Sequence, residues 1–95
     1  MGNLEESIIR WSDYMKYRAE SRGFELPKIE IILRYSGERY FDTITRRKVV
    51  VGWHDKNLVL IPYEEKEKEM MPVTIHSTTR QQVNFRLKTG RFSHE

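Results

Sequence analysis

His76 and Arg80 lie four residues apart, where the apolar run PVTI gives way to the polar segment STTRQQVNFRLKTGR. An imidazole titrates near neutrality and can carry a proton in either direction. A guanidinium stays charged, presents a planar fork of donors and can hold negative charge building on a phosphoryl oxygen. Thr78 to Gln81 has the form of a capping box, which places Arg80 at the second position of a helix, beside free backbone N–H groups and the positive end of the helix dipole. The chemistry open to such a pair is phosphate chemistry: binding the group and moving a proton beside it. The plainer alternatives are a locally hydrogen-bonded histidine and an arginine engaged by a neighbouring carboxylate.

Other cations fall into two groups. If the last segment is a helix ending at Gly90, Val83 and Leu87 face the core while Arg80, Asn84, Lys88 and Arg91 line one polar face. The alternation of Val83, Phe85 and Leu87 competes as a strand pattern, but the helix is the reading adopted. Arg46, Arg47 and Lys48 open a strand, where three successive cations either follow a nucleic-acid backbone or guard a sheet edge against pairing. The surplus of positive charge sits late, with +3 over Pro72 to Glu95 out of +3 for the whole chain. A basic end on a small domain points to an anionic partner, nucleic acid before membrane.

The 95 residues are enough for one domain, 1–95, and one core. There is no cysteine, hence no disulfide, thiolate metal site or thiol nucleophile. His54 and His94 share no metal-ligand spacing with His76, and no Gly-rich phosphate loop, nucleophile elbow or paired-carboxylate spacing occurs, so the sequence calls for no metal or cofactor. The lack of cysteine fits a reducing cytoplasm, while Glu5 and Glu6 standing where a secretory leader needs positive charge, and no apolar run of membrane-spanning length, predict a soluble protein without a membrane partner.

The elements that must position these residues follow from periodicity. Leu4, Ile8, Trp11, Met15 and Ala19 recur at helical spacing, with Asn3 as the expected cap and Gly23 as the expected stop. Pro27 with Ile29, Ile32 and Leu33 predicts a second helix terminated at Gly37. Tyr40 to Thr43, Lys48 to Trp53, Leu58 to Tyr63 and Val73 to His76 read as strands of an antiparallel meander. Glu64 to Glu69, EEKEKE, reads as a solvated loop or strand extension. The expected architecture is α+β: N-terminal helices, a four-stranded antiparallel meander sheet and a C-terminal helix.

With this order in view, the segment YMKYRAESRGFELPKIEIIL resembles the opening of a widespread family of small bacterial proteins, in which a histidine is followed by arginines four and eight residues later, a glycine and a short helix. Arg18, Arg22 and Gly23 match, and Tyr14 stands in the histidine's place. VVVGWHDKNLVLIPYEE and PVTIHS look like the same family's strands. More distantly, the order of elements is similar to RelE-like and BrnT-like toxins of toxin–antitoxin systems, which cleave RNA without a metal. That resemblance implies a RelE/BrnT-like fold, an RNA target and an antitoxin partner, with Arg80 as the phosphate stabiliser and His76 or Tyr14 as the proton carrier. An unperturbed phenol, with a pKa of about 10, is a poor base at neutral pH. A non-catalytic protein-interaction module on the same fold is the competing expectation.

Overall fold

The structure, a computed structural model, describes residues 6–94. Three helices, α1 (Asp13–Ser21), α2 (Leu26–Tyr35) and α3 (Arg80–Lys88), accompany seven strands: β1 (Ile8–Ile9), β2 (Glu38–Asp42), β3 (Arg47–His54), β4 (Asn57–Lys66), β5 (Glu69–Pro72), β6 (His76–Ser77) and β7 (Phe92–His94). The architecture is α+β with a mixed sheet in the order β1-β5-β4-β3-β2-β7, and β6 also pairs with β4. Two-residue turns join β3 to β4 and β4 to β5; they carry Asp55 and Glu67 at positive φ, the backbone shape a tight hairpin of right-twisted strands requires. EEKEKE therefore forms the end of β4, a turn and the first residue of β5.

The first helix differs from its expectation. Ser12 caps α1 by accepting a hydrogen bond from the Met15 N–H at 3.0 Å, so the helix begins at Asp13. The apolar residue Ile8, expected on that helix, belongs to a strand parallel to β5, with Ile8 N–H donating to the Lys68 carbonyl and Arg10 N–H to that of Met70. A helix period sampled at five positions cannot distinguish a continuous helix from a strand followed by a helix. The proposed cap Asn3 and its neighbour Leu4 lie outside the described residues. At the other end, Gly23 has φ +77°, its N–H reaches the Glu20 carbonyl, and Phe24 N–H reaches that of Ala19. This is a Schellman closure, which leaves Arg22 as the last residue before the turn.

The expected fourth strand, Val73 to His76, is also redrawn. Glu69–Pro72 pairs with β4 instead, and only His76–Ser77 rejoins it, opposite Leu60 and Val59. The last strand, β7, pairs with β2 and was not anticipated. Two residues beyond Gly90, Phe92 is buried against Tyr40, so the chain after α3 is drawn back to the sheet.

Helices cover both faces. Val50 of β3 and Val59, Ile61 and Tyr63 of β4 pack with Met15, Ala19, Ile29, Ile32 and Leu33 of α1 and α2. The alternate residues Val49, Val51, Leu58 and Leu60 pack with Val83 of α3 and with Phe92. Burial on both faces is why β3 and β4 read as unbroken apolar runs. Gly52 fixes the approach of α2: a Cβ there would lie 2.7 Å from Cγ2 of Ile32.

Candidate functional site

Tyr14 and Arg18 lie four residues apart on one face of α1, and Arg22, four residues further on, is the residue that caps its end. That face meets the chain entering β6. Arg18 donates from Nε to the Ile75 carbonyl at 3.4 Å, from Nη2 to Nδ1 of His76 at 3.1 Å and from Nη1 to the Tyr14 hydroxyl at 3.4 Å. One guanidinium thus gathers two of the sequence-derived candidates, Tyr14 and His76, which are 62 positions apart. Arg86 of α3 joins Arg18 and Arg22 as a third cation acting on the imidazole. Among the described residues no carboxylate pairs with Arg18, Arg22 or Arg86.

Partial desolvation of the ring, and then the charges of Arg18, Arg22 and Arg86, push the His76 imidazole below its ordinary value of 6.5. At neutral pH the ring is uncharged. A guanidinium has donors and no acceptor, so the contact from Arg18 requires a lone pair on Nδ1, and the ring proton resides on Nε2. Nε2 has no hydrogen-bond partner among the described residues, and His76 is exposed, leaving an N–H donor beside the cations. A ring so engaged offers a donor to an anion; it becomes a base only when Arg18 leaves Nδ1.

Arg80 stands elsewhere in the charge pattern. The Thr79 hydroxyl accepts from Gln82 N–H and caps α3, making Arg80 the first helical residue, one position earlier than the capping-box reading placed it. Its guanidinium donates through both Nη1 and Nη2 to the Glu38 carboxylate, the second contact at 3.0 Å. Glu38 also accepts from the Tyr40 hydroxyl at 2.7 Å. Burial works against a charged Glu38, but the hydrogen bonds from Arg80 and Tyr40 prevail and hold its carboxyl below the usual range. Burial and the Glu38 contact push the Tyr40 phenol up to about 12.

The remaining cations divide similarly. Arg91 is bound to Asp42, at 3.1 Å from Nη2 and 3.3 Å from Nε, and Asp42 also accepts from the Ile44 and Thr45 N–H groups. Arg47 pairs with Glu64 and Lys48 with Glu65, while Arg46 lies over the Phe41 ring at 5.9 Å. β3 is interior to the sheet, so Arg47 and Lys48 do not guard an edge; they join β3 to β4. Asn84 and Lys88 are exposed on α3. His54, buried at 3 % exposure, accepts from Glu25 N–H through Nε2 at 2.9 Å and meets the Phe24 ring edge-on. It holds the α1–α2 connection to the β3–β4 turn.

Arg18, Arg22 and Arg86 were not singled out as binding residues from composition and spacing. The four-residue interval Tyr14, Arg18, Arg22 was the available signal, though nothing local indicates that β6 will lie against that face. Among the described residues no group of three or more His, Cys, Asp or Glu side chains could hold a metal ion, and no helix is long and apolar enough to cross a membrane. Compared with protein-family models, curated proteins and solved structures, the chain matches none.

Proposed function

We propose that the protein binds RNA through its phosphates at the cluster of Tyr14, Arg18, Arg22, His76 and Arg86, as a toxin-like domain whose cationic site an acidic antitoxin segment covers. The observation that carries this reading is Arg18, without a carboxylate partner, held against a histidine that presents a free N–H, with the charges of Arg22 and Arg86 also acting on that ring. Arg18, held by the Ile75 carbonyl, fixes the ring. Arg22 and Nε2 of His76 supply the donors a phosphate oxygen accepts, in the charge-assisted form that makes such contacts strong. Cleavage would be a later step, because proton transfer by His76 requires release of Nδ1.

Titration of a labelled single-stranded RNA tests this. Affinity should fall steeply between about 50 and 200 mM salt. Arg18→Ala and Arg22→Ala should each weaken binding about tenfold or more and reduce the salt slope by about 0.7, whereas Arg80→Ala should change binding little. Binding that ignores salt, or that depends on Arg80 and not on Arg18 or Arg22, would refute the assignment.

A second reading has its own observation. Ile31, Tyr35 and Trp53 are each about 60 % exposed around an open groove of about 390 Å³ between α2 and β3, a surface suited to protein docking. A chain acting only as an interaction module would show no salt-dependent RNA binding.

A further inference from the structure

α3 carries a second feature on the side turned away from the core. Val83 is buried and Leu87 is packed against the core, while Phe85 is 65 % exposed. Phe85 lies in an open groove of about 740 Å³ lined also by Thr79, Gln81, Gln82, Arg86 and Arg91. That volume falls within the range of about 300–1,000 Å³ typical of small-ligand sites. The groove combines a bare aromatic face, two side-chain amides and two guanidinium groups. The Gln82 amide oxygen accepts from the Thr78 hydroxyl at 3.1 Å, which directs its NH₂ donors elsewhere. Arg86 is steadied over the Phe92 ring at 5.5 Å, and Arg91 by Asp42.

We infer that this groove is a nucleobase subsite, in which an unpaired base of single-stranded RNA stacks on Phe85 and offers its polar edge to Gln81 and Gln82. The inference rests on the phosphate-binding reading above and extends it to the substrate's class, an unpaired strand. A base has an apolar face and a polar rim, which is what this lining matches; a flanking phosphate meets Arg86. Two observations join the groove to the phosphate cluster. Arg86 belongs to both, and Thr79 is three residues beyond His76, a stretch of chain that spans at most about 11 Å. A duplex keeps its base faces stacked inside and cannot use Phe85, whereas aromatic platforms serve single strands of any sequence.

The test compares two oligomers of equal length and charge, one a single-stranded RNA containing 2-aminopurine and the other an abasic ribose–phosphate chain. The base-bearing strand should bind more tightly, with quenched 2-aminopurine emission. Phe85→Ala should remove the quenching and weaken that strand by about 5- to 150-fold while leaving the abasic chain unchanged. Phe85→Leu should behave like Phe85→Ala, and Phe85→Trp should retain stacking. An unchanged thermal midpoint for these exposed-site variants excludes a folding effect. If Phe85→Ala binds the base-bearing strand as the parent does, and binding remains salt-sensitive, the subsite is overturned and the phosphate reading stands. If the parent protein binds neither oligomer, both fall. Base-dependent binding that survives Phe85→Ala but is lost in Tyr14→Ala would place the stacking on α1 and also overturn the subsite.

Discussion

Two helical arginines, Arg18 of α1 and Arg80 at the start of α3, occupy opposite electrostatic conditions. Arg80 is closed: both Nη atoms face Glu38, and Tyr40 completes the network. Arg18 is open: its contacts are a carbonyl, a hydroxyl and an imidazole, and none of them is a carboxylate. The difference is set by the partner element. β2 presents a carboxylate to the start of α3, while the segment entering β6 presents a backbone oxygen and a neutral ring to α1. A charged side chain becomes available to an external anion through what its neighbours leave unneutralised, so local sequence around an arginine says little about its role.

The comparison can be broken most forcefully on its closed side. Asp42, buried at 4 % exposure, is paired with Arg91 and holds the turn after β2 through two backbone N–H groups. Asp42→Ala should lower unfolding free energy by about 3 kcal/mol in urea denaturation, because it leaves the arginine and the turn amides without their acceptor. RNA affinity measured below the unfolding transition should not fall. A loss of affinity in the folded variant would mean that Arg91 contributes to binding only while Asp42 holds it in place.

Glu38→Gln should produce an intermediate effect of opposite sign in the two assays. Loss of the half-exposed ion pair should reduce stability by about 1 kcal/mol. Release of Arg80 should raise RNA affinity a few-fold, about what one added surface charge contributes. Unchanged affinity would show that Arg80 lies outside reach of any bound strand.

The smallest effect sharpens the open side. His76 titrates lower in the folded chain than the ordinary 6.5, so between those two pH values the unfolded chain binds more protons. Stability should therefore rise with pH across that interval and decline as pH falls below 6.5. RNA affinity should move the other way, increasing as His76 gains a proton and a second N–H donor. His76→Gln should flatten both profiles in that range while leaving the lower-pH loss caused by Asp42 and Glu38, whose carboxyls are held below their usual values. Parallel profiles for parent and variant would remove His76 from the site.

Much of the fold was legible because local rules and burial agree there. Pro27 marks the start of α2, Gly23 and Gly90 mark helix ends, and the β3–β4 hairpin follows from VVVGW, HDKN and LVLI. The parallel pairing of Ile8–Ile9 with Glu69–Met70 was not legible, since register between segments so distant is decided by the assembled sheet. The same applies to the site. Tyr14 and His76 were named from resemblance and residue type, but their shared guanidinium depends on α1 lying beside β6. Nothing in the local sequence marks Trp53 and Tyr35 as exposed, yet both stand about 60 % open where α2 packs on β3. Arg47 and Lys48 looked equally free in sequence, and only the β3–β4 register shows that Glu64 and Glu65 claim them.

The strand order also has a consequence for a chain emerging from the ribosome. Residues 38–66 can zip into consecutive hairpins as they appear, but β7, which covers the β2 edge, comes 50 residues after Asp42, and β1 must wait for residues 69–70 before it has a partner. From the emergence of β4 until residues 92–94 appear, the β2 margin of the nascent sheet stands with unsatisfied backbone donors and acceptors, whereas the β4 margin is closed by β5 and β1 soon after it forms. That interval is when self-association threatens this protein most, and a chaperone or early partner contact would matter then rather than after release.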